Sequence, residues 1–174
     1  MDESKELICC FTGHRNIDES QLSSLREALD RTLETLIARG FFVYRTGGAL
    51  GIDTLAALAV LEKKEKYPSL RLHLCLPCRD QSDRWGDWSQ EAYGDILQNA
   101  DEVRYTTEQY RRGCMHQRNR QMVQGSQCCV AYCTSEDSGS AYTLQYAKKH
   151  GLRVINLSEF LSCDKTEGEK SYEF

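Results

Sequence analysis

Short apolar segments alternate with longer amphipathic segments along the chain, and this alternation is the feature that most limits its fold. A continuous apolar run such as LICCF at 7–11 or FFVY at 41–44 is typical of a strand buried on both faces of a sheet. The longer segments space their apolar residues three or four positions apart, as an amphipathic helix does. Strands that alternate with helices in this way predict an α/β fold, with a mainly parallel sheet between two layers of helices.

The same pattern gives the approximate limits of the elements. We predict strands at 7–11, 41–44, 71–76, 102–105, 127–133 and 153–156, and helices at 51–66, 89–99, 114–125 and 140–150. A first helix begins at Asp18, which forms a capping-box pattern with Gln21, and ends before Gly40. We predict a single domain over residues 1–163, followed by a polar tail at 164–174 that we expect to be disordered.

Charge and hydropathy exclude several classes of protein. The formal net charge of −4 counts against a protein that coats nucleic acid, because such binding needs a cationic surface. No apolar run approaches the roughly 18 residues that a membrane span needs. The N-terminal sequence MDESKEL is acidic and has no apolar stretch, so it does not resemble a secretory signal. We therefore expect a cytoplasmic protein with no membrane partner.

The chain has nine cysteines, which suggests disulfides until their positions are considered. The adjacent pairs at 9–10 and 128–129 lie inside predicted strands, where neighbouring side chains point to opposite faces and cannot join in a disulfide. Cys75 and Cys78 form a single CxxC, without the second pair that a zinc site needs. We expect free cysteines that act as small core residues, and no metal site.

Polar, glycine-rich turns follow the first, second and fifth predicted strands. Because the carboxyl ends of parallel strands share one edge of the sheet, these turns meet where ligands bind in such folds. Glycine lets backbone N–H groups approach a ligand, and a helix N-terminus favours phosphate, although backbone geometry alone also explains glycine in any single turn. The predicted ligand-binding residues are Thr12, Gly13, His14 and Arg15 in the first turn, Thr46, Gly47, Gly48, Ala49, Gly51 and Asp53 in the second, and Gly139, Ser140 and Thr143 in the third.

Three side chains in these turns each have two interpretations. Arg15 is either a bidentate phosphate clamp or a partner in a surface ion pair. His14 is either a general acid or base near neutral pH or a hydrogen-bonded turn residue. Asp53 either binds a ribose hydroxyl or adds favourable charge to the first turn of a helix.

Two tryptophans, Trp85 and Trp88, lie in the polar segment after the third predicted strand. Each carries a large apolar surface that should pack against something rather than face water. We expect Trp88 to fasten this segment to the rim of the sheet. For Trp85, packing of the same kind and stacking on a nucleobase are equal alternatives.

Three sequence motifs resemble those of a known superfamily. They are CCFTGHR near the start, TGGALGIDTLAALAVL in the middle, and the segment from Tyr110 through RNRQMV at 118–123. Together they resemble the SLOG superfamily, which is related to DprA and to LOG-type proteins, and within it the YpsA/YoqJ-like branch. The resemblance covers residues 7–157. It implies a Rossmann-like three-layer α/β/α sandwich that binds nucleotides or nucleotide-derived ligands, with a homodimer as the expected assembly.

LOG-type enzymes cleave the N-glycosidic bond of nucleoside monophosphates, and their two motifs are kept to different degrees here. MHQRN at 115–119 resembles their MHxRK motif, which implies a catalytic role for Arg118, although asparagine replaces the lysine. GSAYTLQY at 139–146 keeps only part of their PGGxGTxxE motif, and Tyr146 stands where the catalytic glutamate belongs. Tyrosine cannot supply the carboxylate that this chemistry uses, so the resemblance supports phosphate binding more than cleavage.

Three functions follow as hypotheses. The first is a sensor or regulatory module that binds a nucleotide-like small molecule and needs no further cofactor. The second is an N-glycosidase in which Asp53 or Asp137 replaces the missing carboxylate. The third is a DprA-like association with single-stranded DNA through the arginine-rich segment 111–120, against which the net charge of −4 counts. We favour the first and do not expect nucleic acid as the partner.

Overall fold

The fold is built from six strands and six helices within residues 5–161, which are the residues that the computed structural model describes. The strands are β1 (Leu7–Gly13), β2 (Phe41–Thr46), β3 (Arg71–Leu76), β4 (Glu102–Tyr105), β5 (Cys128–Tyr132) and β6 (Arg153–Asn156). The helices are α1 (Glu19–Ala38), α2 (Ile52–Lys66), α3 (Asp87–Asn99), α4 (Cys114–Val123), α5 (Gly139–Lys149) and α6 (Ser158–Leu161). The tail predicted at 164–174 lies outside the described residues.

The strands form one sheet in the order β4-β3-β2-β1-β5-β6, and every neighbouring pair is parallel. The chain therefore builds outward from β1 in one direction as far as β4, and then continues on the other side of β1 with β5 and β6. The order reverses between β1 and β5. In open parallel sheets, the crevice beyond the carboxyl ends of the strands at such a reversal is the usual ligand site.

Helices cover both faces of the sheet, which confirms the predicted α/β/α sandwich. On one face, α1, α2 and α3 pack over strand side chains that include Phe11, Tyr44 and Leu74, all fully buried. On the other face, α4 and α5 pack over Cys129 and Ala131, which are equally buried. Both faces of the central strands are thus apolar, which explains why their sequences show continuous apolar runs rather than alternation.

Several element limits differ from the prediction for identifiable reasons. β1 continues to Gly13 because Thr12 and Gly13 still pair with β5. α3 begins two residues earlier than expected, at Asp87, and α4 ends before Gly125, whose φ of +80° is not helical. The Asp18 cap is confirmed, but its carboxylate accepts from the Ser20 N–H, so the capping box with Gln21 is wrong. The short helix α6 was not predicted.

The cysteines within residues 5–161 are all free, and most are buried. Cys9 pairs in register with Cys128 in the core beneath α1 and α2, where burial raises the pKa of the Cys9 thiol well above its usual value. Burial also raises the pKa of Cys75, and it raises that of Cys78 to about 12. Because the thiolate is the reactive form of cysteine, these shifts favour a packing role over a redox role.

None of the helices within residues 5–161 combines the length and the apolar character that a membrane crossing requires. The same part of the chain brings no three His, Cys, Asp or Glu side chains together in an arrangement that could hold a metal ion.

Candidate functional site

A cavity of about 300 Å³ lies beyond the carboxyl ends of β1 and β5, where the strand order reverses. Four segments that are distant in the sequence enclose it: the end of β1, the turn after β2, one face of α4 and the start of α5. Its lining consists of Thr12, Gly13, His14, Arg15, Ala49, Asp53, Met115, His116, Arg118, Asn119, Met122, Ser138, Gly139 and Ser140. The fold thus brings the first, second and third predicted turns to one place.

The turns after β1 and β2 fit tightly against each other at Gly51. The Ile52 N–H donates to the His14 carbonyl at 3.2 Å. Gly51 has a φ of +78°, and a Cβ there would lie 2.2 Å from the same carbonyl oxygen. Only glycine combines this backbone conformation with so close an approach. Gly51 therefore allows two walls of the cavity to contact each other, and it does not itself line the cavity.

The first turn of α5 forms the wall opposite α4. Ser138 caps the helix, since its hydroxyl accepts from the Ala141 N–H at 3.1 Å. Gly139 and Ser140 are the first two helical residues and line the cavity. N–H groups in a first turn have no partner within their helix, and the helix dipole makes this end partly positive. This wall is therefore suited to an anionic group.

Arg118 is the most deeply enclosed cation of the site, with 4% of its surface exposed. Its Nη1 donates to the carbonyl of Gly47, and its Nε donates to Asn119 Oδ1 at 2.7 Å. Burial lowers its pKa from the usual 12.5, although the nearby Asp53 carboxylate opposes that shift. These bonds fix the guanidinium between the turn after β2 and the cavity. They also fix the amide of Asn119, whose NH₂ remains as a donor.

Asp53 is the one acidic residue among the described residues that line the cavity, and it is 5% exposed. Its Oδ2 accepts from the Ala49 N–H at 3.2 Å, so it holds the turn in shape. Burial raises the pKa of this carboxyl, while Arg118, the Ala49 N–H and Arg15 act in the opposite direction. The carboxylate thus keeps the turn folded and gives the cavity its only negative charge within this described lining.

His14 and Arg15 follow each other in the turn after β1 but have different environments. The Nε2 atom of His14 accepts from the Thr134 N–H at 2.8 Å, and its ring meets Tyr132 edge to face with centroids 5.8 Å apart. This is the environment of a hydrogen-bonded turn histidine. Arg15 is exposed at the mouth, near enough to Asp53 and Arg118 for its charge to act on both.

Several predicted ligand residues of the second turn lie behind the cavity rather than in its lining. Thr46 is fully buried, and its hydroxyl accepts from the Gly48 N–H at 3.4 Å. The Gly48 carbonyl accepts from Gln81 Nε2 at 3.2 Å, and the Gly47 carbonyl accepts from Arg118. The turn uses these groups to hold its own conformation. Ala49 and Asp53 are its members that reach the cavity.

Thr143 likewise does not line the cavity. It is 1% exposed, and its hydroxyl donates to the Gly139 carbonyl one turn earlier in α5, at 3.0 Å. A threonine in a helix interior often bonds in this way, because its short side chain reaches the preceding turn. Gly139 and Ser140 are the members of the third predicted turn that do line the cavity.

The two tryptophans are placed differently from each other. Trp85 packs edge-on against Tyr93, with ring centroids 5.2 Å apart, and adjoins the core beneath α2 and α3. Of the two interpretations of Trp85, its position favours packing. Trp88 is 73% exposed, so the expectation that it fastens its segment to the sheet rim is wrong. It stands in the first turn of α3, where an outward position faces solvent.

Five residues that line the cavity were not among the predicted ligand-binding residues. One of them is Ser138, the residue that caps α5. The other four belong to α4 and are Met115, His116, Asn119 and Met122. Positions 115, 118, 119 and 122 have the spacing of one helical face. Applying this spacing to Arg118, which was predicted, would have found its neighbours.

A second cavity, of about 350 Å³, lies on the open part of the sheet beside α4. Its two arginines already have partners: Arg104 pairs with Glu102, and Arg45 Nη1 donates to the Gln124 carbonyl at 2.7 Å. None of the helices described within residues 5–161 begins at this cavity. The first cavity, with its helix N-terminus and the exposed Arg15, is the stronger candidate for an anion site.

Comparison with protein families agrees with this architecture. The model of the YpsA family, described as the YspA SLOG family, matches residues 9–164. The chain belongs to the YpsA family of SLOG proteins. The resemblance found in the sequence motifs is thereby confirmed, since the match covers most of the chain.

Curated relatives of this YpsA-family protein include UPF0398 proteins from several bacilli. One from Bacillus pumilus is 31% identical over 136 residues, which are 76% of this chain and 73% of the relative. One from Halalkalibacterium halodurans is 29% identical over 150 residues, which are 84% of this chain and 77% of the relative. Among solved structures, DNA processing protein A from Helicobacter pylori, described for its single-stranded DNA binding mode, aligns with a TM-score of 0.64. It is 17% identical and covers 96% of this chain and 77% of its own, a likeness that shows the fold.

Tyr146, which stands where LOG-type enzymes have their catalytic glutamate, lies outside the lining of the cavity. Its ring is 4.0 Å from that of His150, centroid to centroid, and is partly buried against the core beneath α4 and α5. Its hydroxyl accepts from Gln124 Nε2 at 3.5 Å. In this YpsA-family protein the residue therefore packs between α5 and the end of α4, and Asp53 is the carboxylate in the described lining of the cavity.

Proposed function

We propose that this protein binds a nucleotide or nucleotide-derived ligand in the cavity between β1 and β5, as a sensor or regulatory module. The observation that carries the proposal is the convergence of the α5 N-terminus with Arg15 and Arg118 on one enclosed space of about 300 Å³. Backbone N–H groups at a helix N-terminus and guanidinium groups are the usual ligands of phosphate. Membership of the YpsA SLOG family supports the same class of ligand.

In the proposed complex, the phosphate lies against Gly139 and Ser140, and Arg15 covers it from the mouth of the cavity. Arg118 is held by the Gly47 carbonyl and adds positive charge from below. Asp53, the carboxylate in the described lining, accepts a hydrogen bond from a ribose hydroxyl. The arrangement needs no metal ion or further cofactor.

The proposal is tested by ligand binding to the full-length protein. A thermal-shift panel of nucleoside mono-, di- and triphosphates, NAD, ADP-ribose and cyclic nucleotides should contain at least one ligand that raises the melting temperature by several degrees. A ligand at 100 times its dissociation constant adds about 2.7 kcal/mol to the free energy of unfolding. Calorimetry on Arg15→Ala should show binding at least ten-fold weaker, whereas the exposed Arg26→Ala on α1 serves as the matched control.

A flat panel on folded, ligand-free protein would contradict the proposal. Equal affinity in wild type and Arg15→Ala would remove Arg15 from the site while leaving the ligand class intact. Sedimentation velocity on the same samples tests the homodimer that the family resemblance implies.

Cleavage of the ligand is a second candidate, supported by the presence of Asp53 in the cavity. Hydrolysis of an N-glycosidic bond needs a carboxylate near the sugar, and Asp53 is buried beside Arg118 with its pKa raised by burial. This hypothesis predicts that a nucleoside monophosphate is converted to free base and sugar phosphate, and that Arg118→Ala abolishes the conversion. Intact substrate after long incubation at high protein concentration would exclude it.

Single-stranded DNA is a third candidate, since the Helicobacter pylori neighbour is described as binding it. Arg111 and Arg112 are exposed at the start of α4 and Arg120 is half-buried, whereas Arg118 is directed inward. If these side chains contact DNA phosphates, affinity for an oligonucleotide should fall steeply with salt. The net charge of −4 favours the small ligand over DNA.

A further inference from the structure

Two aromatic rings stand at the rim of the cavity, one on each of the helices that enclose it. His116 of α4 lines the cavity and is exposed. Its ring meets that of Tyr142 on α5 at 83°, with centroids 4.8 Å apart. Tyr142 is 39% exposed, and its hydroxyl accepts from Arg120 Nη1 at 3.4 Å. Tyr142 also stacks on Tyr146 of the same helix, with centroids 6.3 Å apart and ring planes at 24°. The rings of His116 and Tyr142 are therefore held in place by aromatic contacts, adjoin the cavity and are partly open to solvent.

The rings are one turn of helix away from the proposed phosphate position. Tyr142 follows Gly139 by three residues, which is a rise of about 4.5 Å along α5. The cavity itself, at about 300 Å³, is at the lower end of small-molecule sites. A phosphate and its sugar would occupy much of that space, so the base of a nucleotide would extend towards the rim.

The rings of His14 and Trp85 are less exposed than this pair, since both are half-buried. The His14 ring packs against Tyr132, and its Nε2 is bonded to Thr134. Trp85, which the sequence suggested for stacking, packs against Tyr93 outside the lining. The pair of His116 and Tyr142, called here the rim pair, is both next to the cavity and exposed.

We infer that the rim pair is the base-binding part of the site and that it selects purine nucleotides. This inference rests on the proposed function, because it assigns the base of the ligand whose phosphate lies at α5. Aromatic side chains stack on any nucleobase, and the two-ring purines offer the larger surface. Because stacking uses the ring faces that both purines share, adenine and guanine nucleotides should bind with similar affinity.

The test compares dissociation constants of AMP, GMP, CMP, UMP and ribose 5-phosphate on full-length protein by calorimetry. In wild type, AMP and GMP should bind at least ten-fold more tightly than ribose 5-phosphate, with CMP and UMP between them. His116→Ala and Tyr142→Leu should weaken AMP binding by about 5-fold to 100-fold, the range expected for loss of one base–aromatic contact. Both should leave ribose 5-phosphate binding within two-fold of wild type.

Two control variants separate stacking from general damage. Tyr142→Phe keeps the ring and loses the hydroxyl, so it should retain wild-type affinity for AMP. Trp88→Leu removes an aromatic ring of even greater exposure on α3 and should change nothing. Because His116 and Tyr142 are both exposed, their variants should keep the melting temperature of the wild type.

The failure of this inference can be distinguished from the failure of the proposed function. If none of the five phosphates binds wild type, the rim pair is overturned, and the proposed function is overturned with it only if the thermal-shift panel is also flat. If they bind but AMP is no tighter than ribose 5-phosphate, the phosphate site stands and the rim pair is wrong. Equal loss of AMP and ribose 5-phosphate binding in His116→Ala and Tyr142→Leu would also overturn the rim pair, because it would indicate damage to the phosphate site.

Discussion

Asp53 and Arg118 converge on a single glycine, Gly47. A Cβ at that position would lie 2.3 Å from Arg118 Nη1 and 2.8 Å from Asp53 Oδ2. Both charged side chains are almost completely buried, and Arg118 also donates to the Gly47 carbonyl. The missing side chain therefore makes room for two opposite charges beneath the cavity, and the conformation of this turn and the charge of the site depend on each other.

Gly47→Ala should disturb both the conformation of this turn and the two buried charges beside it. Its methyl group would displace the buried guanidinium or the carboxylate, and overpacking of this kind costs about 1–3 kcal/mol of unfolding free energy. Urea denaturation measures this loss, and ligand binding should weaken with it. Gly94→Ala is the matched control, since a Cβ there meets nothing within 4 Å inside α3. Alanine at a helical position should stabilise by up to about 1 kcal/mol. Unchanged stability of Gly47→Ala would show that the turn yields easily.

The buried Asp53 should make stability depend on pH in an unusual direction. Burial raises its pKa above the usual 3.8. Between 3.8 and the raised folded value, the folded protein binds more protons than the unfolded chain, so the unfolding free energy falls as pH rises. The variant Asp53→Asn has no carboxyl group at this position, so it does not lose unfolding free energy in this way as the pH rises.

The difference between the two proteins isolates the effect from other carboxyl groups. The unfolding free energy of Asp53→Asn minus that of wild type should increase with pH above 3.8, by at most about 1.4 kcal/mol per pH unit. Urea denaturation in steps from pH 4 to 7 gives this difference directly. A constant difference would mean that Asp53 has the same pKa in the folded and unfolded protein.

Glu34 on α1 should make stability depend on pH in the direction opposite to Asp53. Hydrogen bonds from Lys63 Nζ and the Tyr67 hydroxyl, both at 2.7 Å, lower its pKa from 4.5 to about 2. Its stabilisation is therefore present above pH 4.5 and is lost as the pH falls towards 2. Because the side chain is 35% exposed, solvent screening leaves about 0.5–1 kcal/mol.

Glu34→Gln should lose that amount of unfolding free energy at pH 7, and the loss should shrink steadily below pH 4.5 as the pH approaches 2. Glu27→Gln, which alters the exposed pair with Arg31 on the same helix, should lose no more than a few tenths of a kcal/mol. Both losses are measured by urea denaturation. Equal small losses in the two variants at pH 7 would show that the hydrogen bonds of Glu34 with Lys63 and Tyr67 do not stabilise the fold.

The fold was predictable from the sequence because each strand carries its own apolar signal. The limits of β3 and β4 agree with the prediction, since Arg71 and Glu102 begin their strands abruptly after polar turns. The predicted limits of a strand were less accurate where pairing with another strand decides where it ends. Gly13 belongs to β1 only because it lies opposite Tyr132 of β5, a contact between segments far apart in the chain.

The site was predictable by segment but not by side chain. Glycine turns after three strands located the cavity correctly, because topology places those strand ends together. The sequence could not show that Thr46 and Thr143 bond to their own turns and face inward. Nor could it show that Trp88 is exposed, since nothing in the local pattern states what lies above α3.

The position of Tyr146 yields a prediction about catalysis. If a glutamate at this position were enough to give LOG-type glycosidase activity, Tyr146→Glu would cleave nucleoside monophosphates. The ring packs against His150 and the core beneath α4 and α5, and it lies outside the cavity lining, so a glutamate in its place would not reach a bound sugar. We therefore expect Tyr146→Glu to release no more free base from nucleoside monophosphates than wild type, measured by chromatography after long incubation. AMP affinity should remain close to that of wild type, which serves as the control for folding. Release of base by Tyr146→Glu but not by wild type would show that this part of α5 reaches the ligand, and it would restore the enzyme hypothesis in its LOG-type form.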